Sequence, residues 1–256
     1  MRVKVLGCSG GIGGILRTTG FLVDNDILLD AGTGVGDLSI EQLIEIDHIF
    51  ITHSHLDHIA SIPLLVDTVF GMKKNPVYVY STAETWAILK EHVFNWKIWP
   101  DFTVIPEVQD PFLIWKEVKI GETVDLDGRR LTPIPANHVV PAVGYHLEGS
   151  KSSMVFTGDT TTCDGIWDYA NRIDNLKYLI IETAFSNAEL ELARMSKHFC
   201  PSLLIEELAK LNHRPLPRIY ITHLKPGEGE LIMREIETDA YEFNARPLYN
   251  GHIFEL

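Results

Sequence analysis

Ile51-Thr52-His53-Ser54-His55-Leu56-Asp57-His58 decides the reading of this chain. An apolar run leads into three imidazoles and one carboxylate between residues 53 and 58. Imidazole and carboxylate are ordinary ligands of zinc, manganese and iron. Alternate side chains of an extended segment share a face, so His53 and His55 can grip one ion. Asp57 and His58 open the next helix and can point at a second. The competing reading is a solvated, histidine-rich turn. The H-x-H-x-D-H pattern directly after an apolar strand weighs against it.

Outward from this segment, short apolar strands alternate with helical stretches. Strands are expected at Val3–Leu6, Phe21–Leu29, His48–His53, Val77–Tyr80, Leu131–Ile134, Ala142–Leu147, Met154–Thr157, Tyr178–Glu182, Ile219–Thr222 and Ile253–Leu256. Helices are expected at Asp57–Phe70, Ala83–Phe94, Gly165–Arg172, Pro201–Asn212 and Glu228–Glu237, with Pro201 suited to a first helical turn. This pattern implies a layered α/β architecture. No linker, low-complexity segment or internal repeat interrupts the chain, so one domain is expected over residues 1–256. Ligand-type side chains recur where strands end: His53, His138, Asp159, Glu182 and His223. Functional residues commonly sit on loops at one rim of a rigid sheet.

The bulk properties narrow the function classes. At 256 residues and 45% hydrophobic content the chain can bury a sizeable core. Its net charge of −13 disfavours a long nucleic-acid partner, since phosphate neutralisation needs a basic surface, and the longest basic runs are the pairs Lys73-Lys74 and Arg129-Arg130. No apolar run reaches membrane-spanning length, and Met1–Leu6 runs straight into a glycine-rich turn without the order of features that a signal peptide has. A cytoplasmic location is therefore expected. Cys8, Cys163 and Cys200 are odd in number and lack C-x-x-C spacing, which fits a reducing compartment and core or supporting thiols.

His53, His55, Asp57 and His58 resemble the signature of the metallo-β-lactamase superfamily. The later ligands follow in that family's order: His138 in Pro135-Ala136-Asn137-His138, Asp159 in Phe156-Thr157-Gly158-Asp159-Thr160, and His223 in Tyr220-Ile221-Thr222-His223. The resemblance covers nearly the whole chain. It implies a four-layer αββα sandwich with two divalent metal ions at one rim, zinc first, with manganese or iron also compatible. By the same resemblance, one ion takes His53, His55 and His138, the other takes Asp57, His58 and His223, and Asp159 bridges them. Di-iron oxidoreductases of this fold usually have Glu where His55 stands, which favours hydrolysis. True β-lactamases often have Cys where Asp159 stands.

Two more motifs resemble the phosphodiesterase branch, which is shared with the tRNA 3′-processing endonucleases (tRNase Z). Glu182 lies in Ile181-Glu182-Thr183-Ala184-Phe185, and His198 in Ser196-Lys197-His198-Phe199-Cys200-Pro201. By analogy His198 protonates the leaving alkoxide and Glu182 orients it. The expected catalytic residues are thus Asp57, His198 and Glu182. An imidazole can serve as such an acid near pH 7. The segment Glu91-His92-Val93-Phe94-Asn95-Trp96-Lys97-Ile98-Trp99-Pro100-Asp101, the ending His223-Leu224-Lys225-Pro226 and the turn Leu6-Gly7-Cys8-Ser9-Gly10-Gly11 are similar to those of class II cyclic-nucleotide phosphodiesterases. Trp96 departs from the small polar residue expected there, and Phe199 from the usual Leu. Trp96, Trp99 or Phe94 either stack a purine base or pack a helix against the sheet or a second subunit. The resemblance implies hydrolysis of a 3′,5′-cyclic nucleotide, cAMP or cGMP, to the 5′-nucleotide by a hydroxide bridging the two ions, in a homodimer. Three rivals remain open: a tRNA 3′-processing nuclease, a lactonase or thioesterase of the same fold, and a non-cleaving cyclic-nucleotide sensor.

Overall fold

A computed structural model describes residues 1–256. In chain order the elements are β1 (Arg2–Gly7), β2 (Gly20–Val23), β3 (Ile27–Ala31), α1 (Ile40–Ile44), β4 (His48–Phe50), α2 (Leu56–Ile59), α3 (Ser61–Val69), β5 (Val77–Ser81), α4 (Ala83–His92), β6 (Pro106–Glu107), β7 (Asp110–Pro111) and β8 (Leu113–Glu117). The second half adds β9 (Val124–Leu126), β10 (Arg129–Pro135), β11 (Val143–Glu148), β12 (Ser153–Phe156), α5 (Asp164–Ala170), β13 (Leu176–Glu182), α6 (Leu190–Ser196), α7 (Pro201–Leu208), β14 (Arg218–Thr222), α8 (Gly229–Asp239), β15 (Arg246–Pro247) and β16 (Ile253–Glu255).

Two seven-stranded sheets form, ordered β16-β1-β2-β3-β4-β5-β8 and β15-β14-β13-β12-β11-β10-β9. Strand alternation explains how they stack. Phe50, Met154, Phe156, Tyr178 and Ile180 face the core between the sheets, whereas Ile49 joins the helices outside the first sheet and Val155, Leu179 and Ile181 those outside the second. Phe21 meets Phe156 across the sandwich at 4.8 Å between ring centroids, and Phe50 meets Tyr145 at 5.7 Å. Helices cover both outer faces, giving the αββα order. No helix is long and apolar enough to cross a membrane.

Three local differences from the expected elements have clear causes. The single strand expected over Phe21–Leu29 is a hairpin, because Asp24 takes φ 50° and its carboxylate accepts the Arg2 N–H at 2.8 Å. The helix expected over Asp57–Phe70 is assigned as two, α2 and α3. Pro63 has no N–H to give to the carbonyl of Ile59, four residues back. Helix α1 is short and has no buried residue, and a reciprocal capping box between Ser39 and Gln42 starts it.

Candidate metal centre

Strands β12, β13 and β14 run parallel, and two antiparallel steps bring β10 into the same direction. Their C-terminal ends therefore share one rim, where the chain releases His138, Asp159, Glu182 and His223. The first sheet reaches the same rim at the end of β4: Val143 N–H donates to the Thr52 carbonyl at 3.0 Å, and His53 bridges Ala142.

All seven expected ligands come together there in two adjoining groups. One holds His53, His55, His138 and Asp159, the other Asp57, His58, Asp159 and His223, with the ligand atoms of each group within 4.8 Å of one another. His58 Nε2 lies 3.3 Å from Asp159 Oδ2, His223 Nδ1 3.4 Å from Asp159 Oδ1, and His55 Nδ1 3.1 Å from His138 Nε2. Four ligands at zinc-like bond lengths sit about 3.3 Å apart along the edges of a tetrahedron, so these spacings suit a common cation. His53 Nε2, His58 Nε2 and His223 Nδ1 are fully buried with no hydrogen-bond partner. Such nitrogens need a partner, and a cation would provide one to each. Asp57 and His55 are half-buried, so the site opens on their side.

The protonation states of His53, His138, His223 and Asp159 agree. At His58, burial is outweighed by Asp159 and Asp30, which hold that ring well above the ordinary imidazole value, so that a bound cation would displace its proton. Burial holds His53 well below the ordinary imidazole value, and the nearby His58 charge pushes the same way. Burial brings His138 down to about 4 and His223 to about 3, with Asp159 opposing in both cases. Burial acts to raise Asp159, but His223 and His58 around it hold it well below the carboxylate range. Neutral imidazoles and an ionised carboxylate are the forms that bind metal.

One supporting residue was not foreseen. Asp30 is the next-to-last residue of β3, fully buried, with φ 55°. Its Oδ2 pairs with His58 Nδ1 at 2.7 Å and accepts the Thr52 hydroxyl at 2.8 Å, while Oδ1 accepts the Thr52 N–H at 2.8 Å. Thr52 Oγ1 in turn lies 3.0 Å from His53 Nδ1. Such partners fix the ring orientation of ligating histidines. The available signal was the one used elsewhere: a carboxylate where an apolar strand ends.

Glu182 and His198 meet at the edge of the cluster. Glu182 Oε1 lies 2.7 Å from His198 Nδ1 and accepts the Thr160 N–H at 3.1 Å; Oε2 accepts the Phe199 N–H at 3.2 Å. The His198 ring centroid is 4.9 Å from that of His138 and 5.1 Å from that of His223. Burial alone would lower His198, but the Glu182 carboxylate outweighs it and the net direction is upward. Burial raises Glu182, opposed by His198. Lys197 precedes His198 in the left-handed region at φ 53°. Its carbonyl oxygen lies 3.1 Å from His138 Nδ1, and its ammonium donates to Asn137 Oδ1 and His138 O, both at 3.0 Å.

The glycine-rich turn backs the same site. A Cβ at Gly10 would stand 2.6 Å from the His223 carbonyl oxygen, and His223 N–H donates to the Cys8 carbonyl at 2.8 Å. The aromatic segment does not reach it. Helix α4 starts at the metal rim, where Thr85 Oγ1 donates to the Pro141 carbonyl at 3.3 Å, and its ten residues run about 15 Å away. The loop after it leads into β8 at the opposite rim. Phe94 is buried in the helix-side core and Trp99 packs against that core, so neither is free to stack a base; Trp96 is exposed at this distant end.

A family model described as the beta-lactamase superfamily domain matches residues 25–224. A probable 3′,5′-cyclic-nucleotide phosphodiesterase of Yersinia pestis is 26% identical over 224 residues, covering 78% of this chain and 63% of that protein's length. A ribonuclease Z of Mycobacterium bovis is 25% identical over 215 residues, covering 78% of this chain and 72% of the relative. Among solved structures, unliganded yeast PDE1 superposes with a TM-score of 0.82 at 20% identity, covering 100% of this chain and 99% of that one. The short form of human tRNase Z gives a TM-score of 0.65 at 16% identity, with 100% and 99% covered. At these identities the structural likeness speaks to the fold.

Proposed function

The chain belongs to the β-lactamase superfamily, and from that premise we propose that it is a dinuclear-metal phosphodiesterase opening 3′,5′-cyclic nucleotides to 5′-nucleotides. The observation that carries this reading is the His198–Glu182 pair, 2.7 Å apart, at the edge of the ligand cluster. An alkoxide leaves poorly without a proton, and a positioned imidazole delivers one. Thioester and lactone hydrolysis need no such pair.

His53, His55 and His138 would hold one divalent ion, Asp57, His58 and His223 the other, and Asp159 both; zinc suits this donor set, and manganese or iron are also compatible. When bound, such ions supply positive charge to the phosphate oxygens and acidify a water molecule into a nucleophile. The chain's own residues do the rest. Glu182 is held by two backbone N–H groups and fixes His198 through Nδ1. His198 Nε2 is thereby left to protonate the departing 3′ oxygen. Lys197 ties the His198 segment to the His138 loop.

The test compares two leaving groups on the zinc-loaded protein. His198→Ala should lower turnover of cAMP or cGMP by about a hundredfold or more. It should lower turnover of bis(p-nitrophenyl) phosphate much less, because p-nitrophenolate leaves without a proton, and metal content should stay at the wild-type level. Equal losses on both substrates would remove the acid role. Cleavage of the nitrophenyl ester without cleavage of cyclic nucleotides would remove the substrate assignment. The ribonuclease Z relatives favour a second reading, cleavage of a tRNA 3′ trailer by the same residues; the charge of −13 weighs against it, and a precursor tRNA assay separates the two. A cytoplasmic homodimer is part of our reading. The exposed Trp96 and Ile98 at the distant rim suit a subunit contact, and mass in solution tests it.

A further inference from the structure

The cluster accounts for the phosphate but leaves the rest of a nucleotide without a seat, and the aromatic loop that might have served lies at the opposite rim. A cavity of about 440 Å³ opens beside the cluster instead, and His138 stands in its wall. Its other walls are the loop from Val139 to Ala142, the start of α4 at Thr82 and Glu84, and Ile120. That loop returns to the metal centre at its far end, since Ala142 bridges His53 and the Val143 N–H donates to the Thr52 carbonyl at 3.0 Å. Both ends of the loop are thus anchored on ligands of the same group. His138 is also the common neighbour of the side chains that would act on the phosphate. Its ring centroid is 5.0 Å from that of His53, 4.8 Å from that of His55 and 4.9 Å from that of His198. The width of a single imidazole therefore separates the cavity from a phosphate at the cluster, a gap that the sugar of a nucleotide spans.

The walls are aliphatic with one unsatisfied acceptor. Ile120 and Val139 are 54% and 50% exposed, and Val140 and Pro141 extend the apolar surface. Thr85 Oγ1 donates to the Pro141 carbonyl at 3.3 Å, which ties α4 to the loop and fixes the opening. A preformed, mostly apolar concavity with a few fixed polar groups is the usual form of a small-ligand site. Most of the polar side chains there are already committed. The Thr82 hydroxyl accepts the Thr85 N–H at 3.3 Å and donates to the Thr85 hydroxyl at 3.2 Å. Asn137 accepts from Lys197 at 3.0 Å and donates to the Thr162 carbonyl at 2.8 Å. Glu84 is different: it is exposed in the first turn of α4, and its carboxylate has no partner in the protein. A carboxylate accepts and cannot donate. It repels a phosphate, and it pairs best with two N–H donors side by side. Guanine presents such a pair, N1–H beside the 2-amino group. Adenine presents one amino group beside an acceptor nitrogen, whose lone pair would face the carboxylate.

We propose that this cavity seats the base of the substrate and that Glu84 selects guanine, its carboxylate accepting from N1–H and the 2-amino group while the ring lies against Val139, Pro141 and Ile120. The phosphate stays at the ligand cluster, away from the Glu84 charge. This assignment rests on the phosphodiesterase reading above and names its substrate, cGMP before cAMP.

The test is by binding, so it does not depend on turnover. Guanosine 5′-monophosphate, adenosine 5′-monophosphate and ribose 5-phosphate share a phosphate and a sugar and differ in the base. Calorimetric titration of each into the zinc-loaded protein should show the guanine nucleotide binding about tenfold tighter than the adenine nucleotide, with ribose 5-phosphate weakest. Glu84→Gln sets a donor beside an acceptor, which suits either base, so the lead of guanine should disappear. Ile120→Ala removes part of the apolar wall without opening the core; it should weaken both nucleotides severalfold and leave ribose 5-phosphate unchanged. Equal affinity for the two nucleotides in the wild type, or a guanine lead that survives Glu84→Gln, would overturn the assignment. So would an Ile120→Ala variant that weakens all three ligands alike. Absence of cyclic-nucleotide turnover with the guanine lead intact would instead overturn the reaction and leave the base seat standing.

Discussion

Asp30 shows what a single buried carboxylate does for this site. It makes three contacts, to His58 Nδ1, the Thr52 N–H and the Thr52 hydroxyl, and through Thr52 Oγ1 it also reaches His53 Nδ1. Asp30→Asn keeps the volume but weakens the hold on His58, so zinc affinity should fall about 10–100-fold in a chelator competition. Unchanged affinity would show that His58 is oriented by packing alone. His146 offers a second test at this scale, away from the metals. It is buried, with Nδ1 on the Tyr169 hydroxyl at 3.2 Å and Nε2 without a partner, and burial brings it down to about 4. The folded state thus prefers the neutral ring. The stability that this preference contributes is present above the ordinary value of about 6.5 and is lost as pH falls toward 4. In chelated protein, His146→Leu should shrink the loss of stability between pH 6.5 and 4 by up to about 3 kcal/mol, read from denaturant midpoints. The cluster residues were legible in the sequence because their chemistry is carried by residue type and order. Asp30 was not, because one carboxylate after Leu29 has no partner nearby in sequence; its partners stand 22 and 28 residues on.

At the scale of elements, the short turn from α6 to α7 has more to do than its length suggests. It must end one helix, place His198 beside Glu182 and start the next at Pro201, and it does so by putting Lys197 at φ 53°. A β-carbon in that region costs roughly 1–2 kcal/mol, and the ammonium bonds to Asn137 and His138 oppose that cost. Two variants separate the contributions. Lys197→Met keeps the strain and loses the tether; Lys197→Gly loses both. The Gly variant should therefore be more stable than the Met variant by about 1 kcal/mol in thermal unfolding, while both lose turnover roughly tenfold because His198 is less well held. A Gly variant with wild-type turnover would mean that Glu182 positions His198 unaided. Elements of this kind are where sequence reading was weakest. Helix α6 is short, and its apolar residues Leu190, Leu192 and Met195 do not form a buried stripe; only Ala193 is fully buried. Strand β8, Leu113–Glu117, mixes Trp, Lys and Glu and is identified by its pairing with β5 rather than by alternation. The strands β12, β13 and β14 were readable because they are near-continuous buried apolar runs, as strands covered on both faces are.

The two sheets of the whole molecule contribute unequally to one centre, and this has a thermodynamic consequence. His53, His55, Asp57 and His58 follow a strand of the first sheet, whereas His138, Asp159 and His223 follow strands of the second. Each ligand group draws on both, so bound ions would cross-link the sheets at the rim, in addition to the aromatic contacts between them. Sequence order could suggest this only through family resemblance, since nothing local says which strands share a sheet. The bond from Asn250 Nδ2 to the Ile15 carbonyl was equally hidden, because it joins residues 235 apart in the chain. A ligand that binds only the folded state adds stability as its concentration exceeds the dissociation constant, about 2.7 kcal/mol at a hundredfold excess. For a chain of this size that corresponds to a rise of roughly 5–10 °C in Tm. Removing metal with a chelator should therefore lower Tm by this amount, and restoring zinc should recover it. Hydrogen exchange locates the effect: the loops carrying His138, Asp159 and His223 should open faster without metal, while Leu179–Ile181 in the middle of β13 keeps its protection. A Tm unmoved by chelation, with metal loss verified by elemental analysis, would show that the sheets are held by their packed core alone and that the rim cluster is preformed without its ions.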